Sequence, residues 1–335
     1  MNIVFLLTLL SYSMFLATEE ITPYKFTDQE IQKLVYKIPE SCRFTTKRLS
    51  KDNSDIIYYL SKPKTLNYPI AICCGGSSSR NRLVSIIHFH RYFLQEFLDL
   101  GIAVLTVEQQ GIDGNQINEQ EFWQHYTRSA RLQDYQAVIE KLKLNSPVGW
   151  NGKIILFGVS EGGPIVTTLT QQYCDITIAT MNWSGAGDWS WRDEVWLFID
   201  YLKTNGPWWF SWLGCIQKWI PSIPYVPVNR LDYDRYIDEI VANPTTNKDF
   251  LGMTYAYHVD ALCNWQIEYE KIKTPFLVVA GALDIGIASC DAFVQKATIA
   301  GVPITYLRIE DMDHYVRKRP DVIEVSFQWL SNQLN

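Results

Sequence analysis

The chain has 335 residues, 47% hydrophobic and 20% charged, an ordinary globular composition. Its length exceeds what one compact core usually holds, which predicts a domain carrying a sizeable insertion. A net charge of −6 with no basic stripe excludes nucleic acid as a partner, and without a C-x-x-C pair or an H-E-x-x-H motif a metal site has no support.

Residues 1–17 hold an apolar run, Ile3 to Ala17, that ends at Thr18-Glu19-Glu20. The run suits the apolar region of a signal peptide and is short for a membrane span, so the expectation is an exported protein, periplasmic or secreted. No Lys or Arg precedes it, and Phe15-Leu16-Ala17 fits the small-x-small cleavage rule only at its last position. An N-terminal anchor or a docked helix, on a cytoplasmic protein, therefore stays open. Seven cysteines leave at least one thiol unpaired; on export, Cys215 and Cys263 are the best candidates for a bridge.

Thr27-Asp28-Gln29-Glu30 opens a short helical pattern through Val35. Arg43 to Leu49 and Ile56 to Leu60 read as an antiparallel hairpin at a sheet edge. Pro69 to Cys74 is a continuous apolar run stopping at Gly75-Gly76, as expected of a strand buried on both faces. Cys73 and Cys74 in that run would pack as small hydrophobes. Leu83, Ile86, Ile87, His90, Leu94, Phe97 and Leu98 fall on one helical face, where His90 reads as a packing residue. Gly101 ends that helix and Ile102 to Val107 is the next strand. Leu132, Tyr135, Val138, Ile139 and Leu142 mark a helix that leads to another buried strand, Lys153 to Phe157.

Further strands are expected at Ile176 to Met181, Pro275 to Ala280 and Ile304 to Ile309, with helices at Pro164 to Gln172, Ala288 to Ala300 and Pro320 to Leu334. This alternation predicts an α/β protein: a mostly parallel twisted sheet flanked by helices, with its site at the carboxyl ends of the strands. The core so defined covers 18–188 and 273–335. From 189 to 272 the rhythm lapses into a tryptophan-rich stretch holding Trp189, Trp191, Trp196, Trp208, Trp209, Trp212 and Trp219. It reads as an inserted, mainly helical cap, in which most tryptophans pack and a few facing the site would make an apolar pocket.

The organising stretch is Gly158-Val159-Ser160-Glu161-Gly162-Gly163, which follows the strand Lys153 to Phe157 and precedes a helix. G-x-S-x-G in that context is a nucleophile elbow: a tight strand-to-helix turn strains the serine backbone, and larger side chains two residues before and after would collide. Such a serine stands at a helix N-terminus, where the dipole favours developing negative charge. With Gly281-Ala282-Leu283-Asp284 after one strand and Asp311-Met312-Asp313-His314 after the last, the chain resembles the α/β-hydrolase fold superfamily from about Tyr59 to its end. It is similar to G-x-S-E-G-G members that act as esterases, acyl hydrolases or serine peptidases. Two stretches depart from the usual pattern. Cys74-Gly75-Gly76-Ser77 lacks the histidine of the common H-G-G form, and Glu108-Gln109-Gln110-Gly111 stands where relatives often carry Asp-x-Arg-Gly.

The resemblance implies a triad of Ser160 as nucleophile, His314 as base and Asp284 as the acid that orients the imidazole. Of five histidines only His314 follows the last strand. Asp188, after an earlier strand, is the rival acid; Asp311 and Asp313 read as loop solvation. The oxyanion hole would use the Glu161 N–H with one from Gly76 or Ser77. The Glu161 side chain would turn away or pair with an arginine, the candidates being Arg80, Arg82, Arg128 and Arg131. The expected activity is hydrolysis of esters or related acyl substrates with an apolar portion, through an acyl-enzyme and with no cofactor. The alternatives are a serine aminopeptidase or amidase, with Asp193 and Glu194 as candidate amine ligands, an acyltransferase, and last a non-enzymatic binding module. The expected partner is a small-molecule acyl ester or peptide-like substrate.

Overall fold

The computed structural model describes residues 37–48, 54–78, 83–206, 225–263 and 265–334. The N-terminal apolar run, the Thr27 to Val35 pattern, Arg80, Arg82, Cys215, Trp208, Trp209, Trp212 and Trp219 lie outside the described residues.

The apolar runs become the strands of one eight-stranded sheet: β1 (Arg43–Lys47), β2 (Asp55–Ser61), β3 (Tyr68–Cys74), β4 (Ala103–Val107), β5 (Trp150–Val159), β6 (Thr177–Trp183), β7 (Phe276–Gly281) and β8 (Ile304–Ile309). Their spatial order is β1-β2-β4-β3-β5-β6-β7-β8. The first two form the antiparallel hairpin expected at the edge, β2 pairs antiparallel with β4, and every later pairing is parallel. Every residue of β3, β4 and β7 is buried, which is why these segments read as unbroken apolar runs rather than alternating ones.

Strand parity sends neighbouring side chains to opposite faces. On one face Ile70, Ile72, Ile154 and Leu156 meet Val138 and Leu142 of α3 (Arg128–Leu144) and Ile165, Val166 and Leu169 of α4 (Gly162–Gln172). On the other, Ala71, Cys73, Ile155 and Phe157 meet Phe93 and Phe97 of α1 (Ile87–Asp99) and Phe327 and Leu330 of α9 (Pro320–Asn332). Phe93 sits edge-on to Phe157 and Trp183, with centroids 5.2 and 5.4 Å apart, so aromatic contacts tie β5 and β6 to α1. Helix α2 (Glu119–His125) precedes α3, and α8 (Ile287–Ile299) packs beside β7 and β8.

Helix α1 starts at Ile87, four residues later than the periodicity from Leu83 predicts. Ser85 stops it: its hydroxyl donates to the buried Glu108 carboxylate and accepts from the Ile87 N–H. Glu108 also accepts from the Ile86 N–H at 3.0 Å and from Tyr59 at 3.3 Å. Burial pushes its carboxyl up to about 7 against the pull of these hydrogen bonds. His90 is fully buried between the hydroxyls of Ser61 and Thr106, each 2.9 Å away, and burial with Arg91 nearby drives its pKa down to about 3. It is a neutral packing residue.

Between β6 and β7 the chain leaves the sheet through α5 (Trp191–Asn205), α6 (Arg230–Ala242) and α7 (Tyr255–Leu262). These helices share a small core of Val195, Ile199, Tyr233, Ile237, Ile240, Phe250 and Tyr255. Trp196 packs on Tyr233 inside this excursion, whereas Trp191 packs on Tyr257 and His258 and also joins the cluster of Phe122, Trp123 and Tyr126 beyond it. Cys263, at the end of α7, is an exposed free thiol, and Cys215, the bridge partner the sequence suggested on export, lies outside the described residues. Among the described residues no helix is long and apolar enough to cross a membrane.

Candidate active site

Strand β5 ends at Val159 and α4 begins at Gly162, leaving two residues to reverse the chain. Ser160 takes the strain with φ of +52°, a left-handed conformation uncommon for a residue with a side chain. The two glycines around it answer to close approach. A methyl on Gly158 would come within 2.5 Å of Val166 Cγ2, and one on Gly162 would run into the Cys74 carbonyl at the end of β3. Gly162→Ala must therefore push β3 and α4 apart. The expected cost is about 1–3 kcal/mol of unfolding free energy, as for other overpacked sites, measured by urea denaturation; unchanged stability would contradict the contact.

The structure brings Ser160, His314 and Asp284 into one hydrogen-bonded line. His314 Nε2 lies 2.9 Å from Ser160 Oγ, and His314 Nδ1 lies 2.7 Å from Asp284 Oδ2. A carboxylate accepts only, so the proton sits on Nδ1, and the Nε2 lone pair faces the serine hydroxyl. Asp284 leaves the end of β7 buried, and its other oxygen accepts from the Gly286 N–H at 3.0 Å. Burial pulls the His314 imidazole down, but the Asp284 hydrogen bond and charge, helped by Asp313, outweigh it and leave the pKa above the ordinary imidazole value.

The other acids stand elsewhere. Asp188 accepts from Tyr269 Oη at 2.6 Å and pairs closely with Lys296. Asp311 pairs with Arg319 and Asp313 with Lys318, each at 2.6 Å. The two acids considered for an amine are also engaged: Asp193 pairs with Arg230 at 2.8 Å, and Glu194 accepts from Ser289 Oγ at 2.9 Å. Among the described residues no group of three or more His, Cys, Asp or Glu could hold a metal ion.

Gly76, in the loop after β3, faces the serine: a methyl there would stand 3.3 Å from Ser160 Cβ and 3.8 Å from its Oγ. Ser77 beside it is exposed. Glu161 turns its side chain inward, away from the solvent face of the elbow, and is 6% exposed. Its carboxylate accepts from Arg131 Nη1 at 2.9 Å, from Tyr126 Oη at 2.5 Å and from Tyr257 Oη; Arg128 Nε is 4.0 Å away. Of the four arginines named from the sequence, Arg131 is hydrogen-bonded to Glu161 and Arg128 stands at ion-pair distance, while Arg80 and Arg82 lie outside the described residues. Tyr126 and Tyr257 were not legible beforehand: nothing in the spacing of a tyrosine after α2 and another in α7 marks them as meeting. Their rings stack with centroids 5.1 Å apart and planes 18° from parallel.

A serine at a left-handed turn, with imidazole and carboxylate gathered at the carboxyl edge of this sheet, defines an enzyme of the α/β-hydrolase type. The match to known families narrows this further. Residues 82–307, more than half of the chain, match the family Hydrolase_4, serine aminopeptidase, S33, and the chain belongs to it. No curated protein matches the chain. Among solved structures, it is similar to Est1E from Butyrivibrio proteoclasticus with ferulic acid bound, at a TM-score of 0.56 and 17% identity, covering 86% of this chain and 99% of that one. A carboxyl esterase from Bacillus coagulans in complex with glycerol gives 0.56 and 13%, covering 88% and 97%. The acylaminoacyl peptidase of Pyrococcus horikoshii gives 0.52 and 13%, covering 92% of this chain and 43% of that one. At these identities the likeness is one of fold.

Proposed function

We propose that the protein is a serine hydrolase of carboxylic esters or related acyl compounds with an apolar portion, working through an acyl-enzyme. The observation that carries this reading is the continuous line from Asp284 through His314 to a strained Ser160. His314 Nε2 takes the Ser160 proton as Oγ bonds to the acyl carbon, and the imidazolium is held by Asp284. The same proton passes to the leaving alcohol as the carbon–oxygen bond breaks. Water then repeats the sequence: it gives a proton to His314, its oxygen bonds to the acyl carbon, and Ser160 recovers its hydrogen as the acid departs. The Glu161 N–H and those of Gly76 or Ser77 would receive the charge on the carbonyl oxygen. The helical excursion from 189 to 272 would serve as the cap that walls the substrate. The substrate is a small molecule, as the hydrolase family implies.

The family's own description favours a second reading, a serine aminopeptidase or amidase. Against it, Asp193 and Glu194 are already engaged by Arg230 and Ser289, which leaves a substrate amine less to bind. An acyltransferase would use the same geometry, with an alcohol in place of water. The discriminating experiment compares p-nitrophenyl butyrate with alanine p-nitroanilide under one set of conditions. The ester should show the higher kcat/KM; faster anilide cleavage would overturn the ester preference, and transfer of the acyl group to an added alcohol in preference to water would reassign it as a transferase.

A further inference from the structure

We propose that Arg131 is a positioning residue for the oxyanion hole, clamping its two arms against each other, and that Tyr257 ties the clamp to the cap helix α7. This rests on the serine-hydrolase reading above. The two arms come from distant parts of the chain: Gly75-Gly76-Ser77 follows β3, and Glu161 follows the nucleophile on β5. Arg131, in the first turn of α3, reaches both. Its Nη2 donates to the Gly75 carbonyl at 2.7 Å, and its Nη1 donates to Glu161 Oε2 at 2.9 Å, with a weaker reach to the Gly76 carbonyl at 3.5 Å. The side chain is buried, 5% exposed, so these contacts are not shared with water.

The geometry of the peptide unit turns this clamp into a device for aiming donors. In a trans peptide the N–H points opposite to the carbonyl of the same plane. Drawing the Gly75 carbonyl toward Arg131 therefore turns the Gly76 N–H away from it, and the hold on the Gly76 carbonyl does the same for the Ser77 N–H. Those are the two N–H groups assigned to this arm of the hole, on a glycine that packs against Ser160. On the other arm, fixing the Glu161 side chain fixes the residue whose own N–H completes the hole. Tyr126 adds a second tie between the arms: its hydroxyl accepts from the Ser78 N–H at 3.0 Å and donates to Glu161. Tyr135, one turn further along α3, donates to the Cys73 carbonyl at 2.9 Å and steadies the end of β3.

Tyr257 carries the connection outward. It donates to Glu161 Oε1, accepts from Arg128 Nε at 3.2 Å and stacks on Tyr126. Arg128 in turn lies over the Trp191 ring of α5, 4.4 Å from its centroid. A shift of α5 or α7 is thus felt at the Glu161 carboxylate. A single guanidinium fork serves here because it is planar, fixed in charge and able to donate in several directions at once; an ammonium cannot reproduce that.

The test uses the full-length protein with Arg131→Lys, Tyr126→Phe and Tyr257→Phe. Arg131→Lys should lower kcat for p-nitrophenyl butyrate about 10²-fold, with KM changed by no more than about threefold, as for loss of one oxyanion donor. Each tyrosine variant should lose about tenfold in the same pattern. Affinity for a trifluoromethyl ketone, whose adduct with Ser160 bears the oxyanion, should fall in step with kcat. The acidic limb of the pH profile, set by His314, should stay in place. A folded Arg131→Lys enzyme with kcat near wild type, a loss confined to KM, or unchanged ketone affinity would overturn the proposal. If Arg131→Lys does not fold, the two tyrosine variants decide by the same readouts. Wild-type protein that neither cleaves ester nor anilide nor reacts with a fluorophosphonate overturns the serine hydrolase and this proposal together. An active wild type, silenced by Ser160→Ala but indifferent to the clamp variants, removes the clamp alone.

Discussion

Ser160→Ala is expected to lower kcat on p-nitrophenyl butyrate by about 10⁶-fold, the scale seen when a triad nucleophile is removed, and to abolish labelling by a fluorophosphonate. The size follows from what the hydroxyl does: among the described residues, Ser160 Oγ is the group at hydrogen-bond distance, 2.9 Å, from His314 Nε2 with a proton to give. A residual rate of about 10³-fold over water should persist, because the backbone donors and the pocket are untouched. KM should change little, since the hydroxyl contributes bonding to the transition state rather than to the resting ester. The alanine keeps the backbone at φ of +52° and adds no bulk, so the fold should survive, as circular dichroism would check. Persistent labelling, or a rate within tenfold of wild type, would remove Ser160 from the mechanism.

Asp284→Asn should cost about 10⁴-fold in kcat, and the reason is the tautomer. An amide NH₂ facing Nδ1 stabilises the imidazole with its proton on Nε2, where it points at Ser160 and can accept nothing. The pH dependence gives a second, independent reading. The base must be neutral to act, so wild-type kcat/KM should rise with pH through a value above that of an ordinary imidazole. Removing the Asp284 contribution leaves burial in control, and the residual activity of Asp284→Asn should rise at a lower pH. The linkage to stability has a definite sign. Since the folded His314 holds its proton more tightly than the unfolded one, its contribution is full below the unfolded pKa and is lost as pH rises through the folded one. Asp284→Asn should therefore lose more thermal stability at pH 5 than at pH 9. Should Asp284→Asn stay active while Asp188→Asn is dead, the acid has been misassigned, despite the commitment of Asp188 to Tyr269 and Lys296.

The line of the site was legible because its parts obey local rules. Glycine spacing announces the turn at Ser160, and the residues that follow β7 and β8 lie at the sheet's carboxyl edge, where Asp284 and His314 had to fall. The central strands were legible because both of their faces are buried. The clamp was not. Arg128, Arg131 and Asp134 are buried on α3 beside Tyr135, so this helix hides a polar face that a search for apolar periodicity reads as solvent. Its partners Tyr126 and Tyr257 are 131 positions apart and meet only once the excursion folds back over the sheet. Two-residue ladders, Ile112–Asp113 with Gln116–Ile117 and Asp249–Phe250 with Met253–Thr254, were also invisible, being set by turns rather than by any side-chain period.

Cys174 and Cys263 are both exposed free thiols, while Cys73, Cys74 and Cys290 are buried. Cys174 follows the C-cap of the elbow helix α4, and Cys263 closes α7, the helix that bears Tyr257. Nature has thus left two attachment points on the two bodies whose separation matters most to the clamp. Spin labels placed there, with Cys42 and Cys215 changed to serine, would make a molecular ruler for reading how far α7 travels from the elbow as a turnover proceeds.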